Sequence, residues 1–176
     1  MGWSCTHKRQ GQPLAEFFIN DGVLKWSGTP ATFTVVATAY KMPAFYAAVE
    51  RVEGDKREVF AVVILVQHRP KEDYNFCYKA MGEDMGPNVD SCPAAVLMLL
   101  TTSRSEYANG WRARCWAKIK KAKEDRVKLA RIKVGTRLRY GEETYVVTAT
   151  LGPKGFQVNH RFRVKRSQAC KAEVMK

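Results

Sequence analysis

The stretch VFAVVILVQH (59–68) decides the fold of this chain. It is a run of β-branched and aromatic residues, too short to cross a bilayer, and Arg69-Pro70 ends it. A strand that is apolar on both faces is typical of the middle of a sheet that is covered on both sides or packed against a helix. The stretch therefore predicts a central strand in a layered domain.

The neighbouring segments build a domain around that strand. ATFTVVATAY (31–40) is β-branched and reads as a strand. AFYAAVERV (44–52) has the alanine content of a helix, but the Met42-Pro43 before it and the EGDKRE after it favour a strand that enters a hairpin. GQPLAEFFIND (11–21) and PAAVLMLLT (93–101) are predicted to be short apolar helices. We expect residues 1–104 to form one α+β domain with an antiparallel sheet.

A long basic helix is predicted next, over residues 105–132. In WRARCWAKIKKAKEDRVKLARIK (111–133), steps of about 100° per residue separate an apolar stripe from a cationic face. The stripe contains Trp111, Cys115, Ile119, Ala122 and Leu129. The cationic face contains Arg114, Lys118, Lys121 and Lys128, with Lys120 and Arg131 beside them.

Residues 133–168 alternate between apolar and polar side chains, with turns at Gly141, at Gly152–Gly155 and at Asn159-His160. This pattern predicts four short strands in a small antiparallel sheet or a barrel-like module, of the Src-homology type. Residues 169–176 are expected to be a frayed tail. The predicted fold class is thus α+β, with an N-terminal antiparallel sheet and short helices, one long basic amphipathic helix and a C-terminal β-barrel-like module.

The positive charge is confined to the C-terminal part of the chain. The formal net charge is +13 over 176 residues. Residues 1–104 hold 11 Lys+Arg and 11 Asp+Glu, whereas residues 105–176 hold 19 and 6, so the whole excess lies in the second part. Such a division indicates a neutral body joined to a segment with a polyanionic partner, although the charge of a basic protein can also serve only solubility.

The five cysteines are scattered and odd in number, and none form a CxxC pair. This distribution argues against a disulfide scaffold and a zinc ribbon, and it favours reduced thiols in the cytoplasm. No spacing of Cys and His is diagnostic of a metal site, and no phosphate loop, dinucleotide fingerprint or catalytic triad is present. We therefore expect no metal and no cofactor.

The start of the chain, MGWSCT, fits the pattern of N-myristoylation. A bulky Trp3 beside the acceptor glycine is a poor match to that pattern. A first strand that buries Trp3 accounts equally for the residues, and we favour it. No secretory signal and no apolar run of membrane-spanning length is present, so a membrane role is not expected.

Three segments carry a resemblance to a known family. They are MGW at the start, YKAMGEDMGPNVDSCP (78–93) and SEYANGWRARC (105–115). Together they resemble a family of small, uncharacterised proteins of phages, plasmids and other mobile elements, which begin Met-Gly-Trp and share a Tyr-Lys-x-Met-x-Glu-x-Met-Gly-Pro…Cys-Pro motif. Members often have Asp where this chain has Ala80 or Gly82, so the loop is less acidic here. The resemblance implies a bacterial or phage protein of the cytoplasm and no particular reaction. It also implies a setting of replication, transfer or evasion of host defence.

The 78–92 loop is one candidate site, because polar and reactive residues lie together between a strand and a helix. Cys92 at a helix start would be a candidate nucleophile, Glu83 and Asp84 would be acid and base, and Tyr78 would lie nearby. The alternative is structural: the glycines and prolines shape the loop and the acids pair with the basic helix. We favour the structural interpretation, so an enzyme is the third hypothesis and no catalytic residue is assigned.

The basic helix and β module are the preferred site. Lysines and arginines would make salt-dependent phosphate contacts, and Tyr140, Tyr145, Phe156 and Phe162 would stack on bases if exposed, although alternation favours a core role for them. The leading hypothesis is a nucleic-acid-binding (DNA or RNA) accessory protein of a mobile element. An anti-defence inhibitor of the anti-restriction or anti-CRISPR type, binding an acidic host protein, is the alternative. The predicted phosphate-binding residues are Arg112, Arg114, Lys118, Lys120, Lys121, Lys128, Arg131, Arg161, Arg163, Lys165 and Arg166.

Overall fold

The computed structural model describes residues 2–6, 13, 16, 19, 30–68 and 76–175. The chain divides into two compact units, Met1–Ile119 and Lys120–Lys176, which we call the N-terminal unit and the C-terminal unit. The division falls inside the long helix rather than before it.

The N-terminal unit is built on a five-stranded antiparallel sheet in the order β1-β5-β4-β3-β2. The predicted central strand is confirmed, because β4 pairs with β3 on one side and with β5 on the other. The segment that was compatible with a helix or a strand, 44–52, is the strand β3. The strands are β1 (Ser4–Thr6), β2 (Thr32–Lys41), β3 (Ala44–Glu53), β4 (Lys56–His68) and β5 (Phe76–Gly82).

Both faces of this sheet are covered, as the apolar character of β4 requires. On one face, Tyr46 and Val63 pack with Cys92, Trp111 and Cys115, and we call this cluster the helix-side core. On the other face lies the opposite-side core, which comprises Phe45, Ala47, Val49, Val62, Ile64, Tyr78 and Ile19. Successive residues of β3 and β4 contribute to alternate cores because strand side chains alternate in direction.

Two helices cover the helix-side core. The short α1 (Ala94–Leu97) buries Val96 and Leu97, and the long α2 (Glu106–Arg131) buries Ala108, Trp111 and Cys115. The Ser105 hydroxyl accepts a hydrogen bond from the Ala108 amide at 3.3 Å, which caps the first turn of α2. The predicted long helix over 105–132 is confirmed.

The C-terminal unit has its own five-stranded antiparallel sheet, in the order β10-β6-β7-β8-β9. Its core includes Leu138, Val147 and Val158, each fully buried, with Ile132, Phe156, Ala169 and Ala172. The elements are β6 (Arg137–Tyr140), β7 (Glu143–Thr150), β8 (Phe156–Val158), β9 (Phe162–Val164), the one-turn α3 (Arg166–Ala169) and β10 (Glu173–Met175).

Two tight turns fix the β7–β8–β9 hairpins. Asn159 and His160 both adopt positive φ, at 50° and 57°, which is the geometry of a type I′ turn, and the Arg161 amide donates to the Val158 carbonyl at 3.1 Å. Gly155, at φ 114°, lies so close to β9 that a Cβ there would be 2.1 Å from the Val164 carbonyl oxygen. Only glycine fits that position.

Three predictions about the ends of the chain and the module need correction. The C-terminal sheet is open rather than a barrel, because β9 and β10 are its two edges among the described strands. The predicted frayed tail over 169–176 is wrong, because Glu173–Met175 pairs with β6. A first strand exists at Ser4–Thr6, but Trp3 is 47% exposed and not buried. The helix predicted over 11–21 lies largely outside the described residues.

The cysteine prediction is also partly wrong. Cys5 and Cys77 are directly opposite on β1 and β5 and form a disulfide bond. Cys92, Cys115 and Cys170 are free thiols. The spacing of the cysteines in the sequence gave no sign of this bond, because the partners are 72 residues apart and meet only through the sheet.

Candidate functional site

The acidic loop after β5 and the start of α2 meet in a buried ion pair. Glu83 is 2% exposed and lies in the 3-10 turn Glu83–Met85. Arg112 reaches it from α2, where Nε donates to Glu83 Oε2 at 2.9 Å and Nη2 donates to Oε1. Nη1 donates to the Thr101 carbonyl. A carboxylate this buried requires a cation beside it, so Glu83 and Arg112 pair with each other and neither charge is available to a ligand.

Cys92 and its surroundings are part of the helix-side core. Burial, and to a smaller extent Cys115 and Glu83, raises the pKa of the Cys92 thiol to about 12. The Tyr46 hydroxyl and the Ser91 hydroxyl are hydrogen bonded at 2.6 Å, and the Trp111 indole donates to the Val89 carbonyl at 2.8 Å. A thiol with this pKa is protonated at neutral pH and is a poor nucleophile.

The remaining candidates of the loop do not join Cys92. Tyr78 belongs to the opposite-side core, so the sheet separates it from Cys92 in the helix-side core. Asp84 is exposed at the surface. The geometry of the 78–92 loop thus favours a structural role, and no acid, base and nucleophile are brought together in it.

Two further predicted phosphate ligands share one carboxylate. Arg114 Nε lies 3.0 Å from Asp90 Oδ1, and Lys118 Nζ lies 3.6 Å from Asp90 Oδ2. The side chains of Arg114 and Lys118 are 51% and 62% exposed, so both remain in contact with solvent. Their joint charge is only partly offset by Asp90.

The other predicted cations lie in the C-terminal unit. Lys120, Arg131, Arg161, Arg163, Lys165 and Arg166 are all exposed. Lys121 pairs with Asp125 at 3.7 Å, and Lys128 donates to the Cys170 carbonyl at 2.8 Å. Arg163 donates to the Lys154 carbonyl, and Arg166 donates to the Gly152 carbonyl at 3.4 Å.

Sequence reasoning missed several exposed cations of the same unit. Lys123 and Arg126 lie on α2 between the predicted positions, and Lys171 follows α3. The helical spacing placed Lys123 and Arg126 outside the chosen cationic face, although the exposed surface of the helix is wider than that face. Lys171 was assigned to a frayed tail, so its place beside the sheet had no signal in the sequence.

Few of these cations have an acidic partner. In the described part of the C-terminal unit, Lys121 and Arg139 are the cations with a nitrogen within 4.0 Å of a carboxylate oxygen. The unit Lys120–Lys176 contains sixteen Lys+Arg and five Asp+Glu, a net charge of +11 over 57 residues. Its surface is therefore strongly electropositive.

The four aromatic residues of the module divide between core and surface. Phe156 is 5% exposed and belongs to the core. Phe162 is 50% exposed, and the Arg161 guanidinium lies 5.5 Å from its ring centroid. Tyr140 and Tyr145 pack edge to face at 5.9 Å on the margin of the core. Phe162 is the aromatic side chain that is open to stacking.

The N-terminal unit has a cleft of about 770 Å³ beside the β3–β4 hairpin. Its lining carries charges of both signs, and most are paired: Arg51 with Glu53 and Glu58, and Arg112 with Glu83. A lining of mutually paired charges is a poor match to a polyanion.

Over the described residues, no helix is both long and apolar enough to cross a membrane. Within the same residues, no three His, Cys, Asp or Glu side chains are grouped to hold a metal ion. No family model matches this chain, and neither the curated proteins nor the solved structures contain a significant match to it.

Proposed function

We propose that the protein is a nucleic-acid-binding accessory protein that contacts the phosphate backbone through its C-terminal unit. The observation that carries the proposal is the set of exposed cations there without carboxylate partners. Unpaired Lys and Arg release condensed counterions when they contact phosphates, which is the main source of sequence-independent affinity. The cations are spread over a helix and strand ends rather than arranged as bidentate pairs for base edges, which favours backbone contact.

The structure favours some of the predicted ligands over others. Lys120, Arg131, Arg161 and Lys165 stay in the proposed set, and Lys123, Arg126 and Lys171 join it. The other predicted ligands except Arg112 are weaker members, because each has an acceptor within the fold: Arg114, Lys118, Lys121, Lys128, Arg163 and Arg166. Arg112 leaves the set, because its guanidinium is held by Glu83 and Thr101.

Charge reversal with a matched control tests this proposal. One triple variant changes Lys120, Arg161 and Lys165 to Glu in the C-terminal unit. The control changes Lys41, Lys56 and Arg104 to Glu in the N-terminal unit, where these cations are also exposed. The two variants have the same net charge, so a difference between them reports on position rather than on total charge.

We expect the first variant to bind DNA and RNA oligonucleotides at least about 30-fold more weakly than the unmodified chain at low salt, since three phosphate contacts are lost. The control should lose only a few-fold. Equal affinity of the two variants for the oligonucleotides would contradict the proposal.

The mobile-element setting rests on the family resemblance of the Met-Gly-Trp start and the 78–93 motif. That resemblance also implies the bacterial cytoplasm, whereas the Cys5–Cys77 disulfide favours an oxidising compartment. Alkylation of thiols in intact cells before lysis, followed by peptide mapping, distinguishes the cytoplasm from an oxidising compartment. Alkylated Cys5 and Cys77 would support the cytoplasm, and a linked peptide pair would contradict it.

An inhibitor of host defence that acts by binding a protein is the second candidate. It is favoured by large apolar side chains that are exposed on the N-terminal unit, such as Met98 and Tyr107, each 71% exposed. A host protein that co-purifies after nuclease treatment should then be lost when Met98 and Tyr107 are changed to Glu. It should be retained by the C-terminal charge-reversal variant, which separates this candidate from nucleic-acid binding.

A further inference from the structure

A pocket of about 490 Å³ lies in the C-terminal unit, between the sheet and the segment that follows β9. Its walls include three aromatic side chains, Tyr140, Tyr145 and Phe162, and two cations, Arg163 and Lys171. Its volume is in the range of small-ligand pockets, which are mostly apolar with a few placed polar groups. The fully buried Val158 also lines it, so the pocket opens directly onto the core of the unit.

We propose that this pocket takes a base of single-stranded nucleic acid, with the adjoining cations on its phosphates. This inference rests on the proposed nucleic-acid-binding function and names the form of nucleic acid that the C-terminal unit prefers. Bases of a duplex are stacked and paired, so only an unpaired base can enter a pocket of aromatic rings.

The first support is the position of Phe162. Phe162 is 50% exposed on the edge strand β9, so its ring is open to a stacking partner. The Arg161 guanidinium lies near this ring, at 5.5 Å from its centroid. An aromatic face with an adjacent arginine is the combination that single-strand-binding proteins use for successive nucleotides.

The second support is the Tyr140 hydroxyl. Its oxygen is buried and has no hydrogen-bond partner among the described residues. Burial also raises the pKa of Tyr140, so the hydroxyl keeps its proton. Because solvent does not reach this oxygen, a base edge pairs with it only when the Tyr140 ring turns toward the pocket that it lines, whereas a purely apolar ligand would leave it unpaired.

The third support is the charge around the pocket. Arg163 and Lys171 line it, and none of the described lining residues is a carboxylate. Glu143 accepts a hydrogen bond from the Tyr145 hydroxyl, but it is not part of the lining. A proline-rich peptide also docks against aromatic side chains, but the excess of cations favours a polyanion over a neutral peptide.

The test compares three ligands on the full chain at low salt. They are a single-stranded oligonucleotide, an abasic strand of the same length, and a duplex of the same sequence. We expect the single strand to bind about 10-fold or more tightly than the abasic strand, since stacking of one base accounts for a factor of this size.

Two variants locate the effect in the pocket. Phe162→Leu keeps an apolar side chain at an exposed position and should weaken single-strand binding about 5- to 100-fold, with little change for the abasic strand. Tyr140→Phe removes only the unpartnered hydroxyl, so it should leave thermal stability unchanged or higher and weaken single-strand binding a few-fold. Tyr40→Leu, at an aromatic of the N-terminal unit that is 54% exposed, is the matched control and should leave the binding of all three ligands unchanged.

The outcomes separate this inference from the proposed function. Equal binding of the single strand and the abasic strand would overturn the base pocket and leave phosphate binding intact. Absence of salt-dependent binding to all three ligands would overturn both. A proline-rich peptide that shifts the NMR signals of Tyr140 and Tyr145, and is not displaced by the oligonucleotide, would replace the base pocket with a peptide site.

Discussion

Glu83 and Arg112 form a buried ion pair that joins the acidic loop to the basic helix. Arg112 lies among exposed cations in the sequence, yet its side chain is 15% exposed and held by a carboxylate from a loop 29 residues earlier. Helical spacing predicts which residues lie on the same face of a helix, but it does not predict which loop will cover that face. The structural interpretation of the loop expected its acids to pair with the basic helix, but a sequence pattern does not distinguish the buried Glu83 from the exposed Asp84.

The first prediction concerns that ion pair. Glu83→Gln should lower the free energy of unfolding by about 3–5 kcal/mol, because it leaves the Arg112 guanidinium buried without its counter-charge. Asp84→Asn is the matched control at the neighbouring exposed acid, and it should change stability by less than about 0.5 kcal/mol. Urea denaturation of both variants measures the difference. Similar stabilities would show that the pair does not support the fold.

The second prediction concerns the buried thiols. With its pKa near 12, Cys92 should be alkylated only after the chain unfolds, and Cys115, whose pKa is also raised by burial, should behave alike. Cys170 is partly exposed and should be alkylated first. Mass spectrometry after timed alkylation at pH 8 gives the order. Fast labelling of Cys92 in the folded protein would reopen the enzyme hypothesis.

The raised pKa of the Cys92 thiol also makes the stability of the fold depend on pH. Its folded pKa is above the unfolded value of about 8.5, so the folded state binds the proton more tightly. The resulting stability is fully present below about pH 8.5 and is lost as pH rises toward about 12. Urea denaturation between pH 7 and pH 10 should show this fall, and Cys92→Ala should reduce its slope. An unchanged slope in Cys92→Ala would contradict the assignment.

At the scale of elements, patterns that are local in sequence predicted the structure well. The continuous apolar run 59–68 predicted the central strand, and period-two alternation predicted β6 to β9. Features that depend on distant partners were missed. Glu173–Met175 is short and mixed in polarity, and it becomes a strand only because β6 offers an open edge. The Cys5–Cys77 bond depends in the same way on the pairing of β1 with β5.

The third prediction tests β10. A chain that ends at Ala172 lacks this strand and the partly buried Val174, so its C-terminal unit should be less stable by about 1–3 kcal/mol. Hydrogen exchange of the β6 amides, measured by mass spectrometry, should become faster. Removal of Lys176 alone is the control and should leave exchange unchanged. Equal protection of the β6 amides in the two shortened chains would contradict the pairing of β10 with β6 and support a frayed tail.

At the scale of the whole molecule, the sequence showed that the excess positive charge lies in the C-terminal part of the chain. It did not show which of those cations pair with carboxylates. Counting residues located the excess after position 104. It did not separate cations that balance acids of the N-terminal unit, such as Arg112 and Arg114, from cations of the C-terminal unit that have no acidic partner. The two groups of cations can be told apart only from side-chain contacts between segments far apart in the chain.

The most direct measurement for the central claim is the salt dependence of nucleic-acid binding by the full chain. About five phosphate contacts from the C-terminal cations predict a slope of log affinity against log salt concentration of about −4.5 for a duplex, and a fall of about 10²-fold or more between 50 and 200 mM salt. Single strands should give a slightly shallower slope at higher affinity. A slope between 0 and about −1, or no binding at 50 mM salt, would contradict the claim that this unit is a phosphate-binding surface.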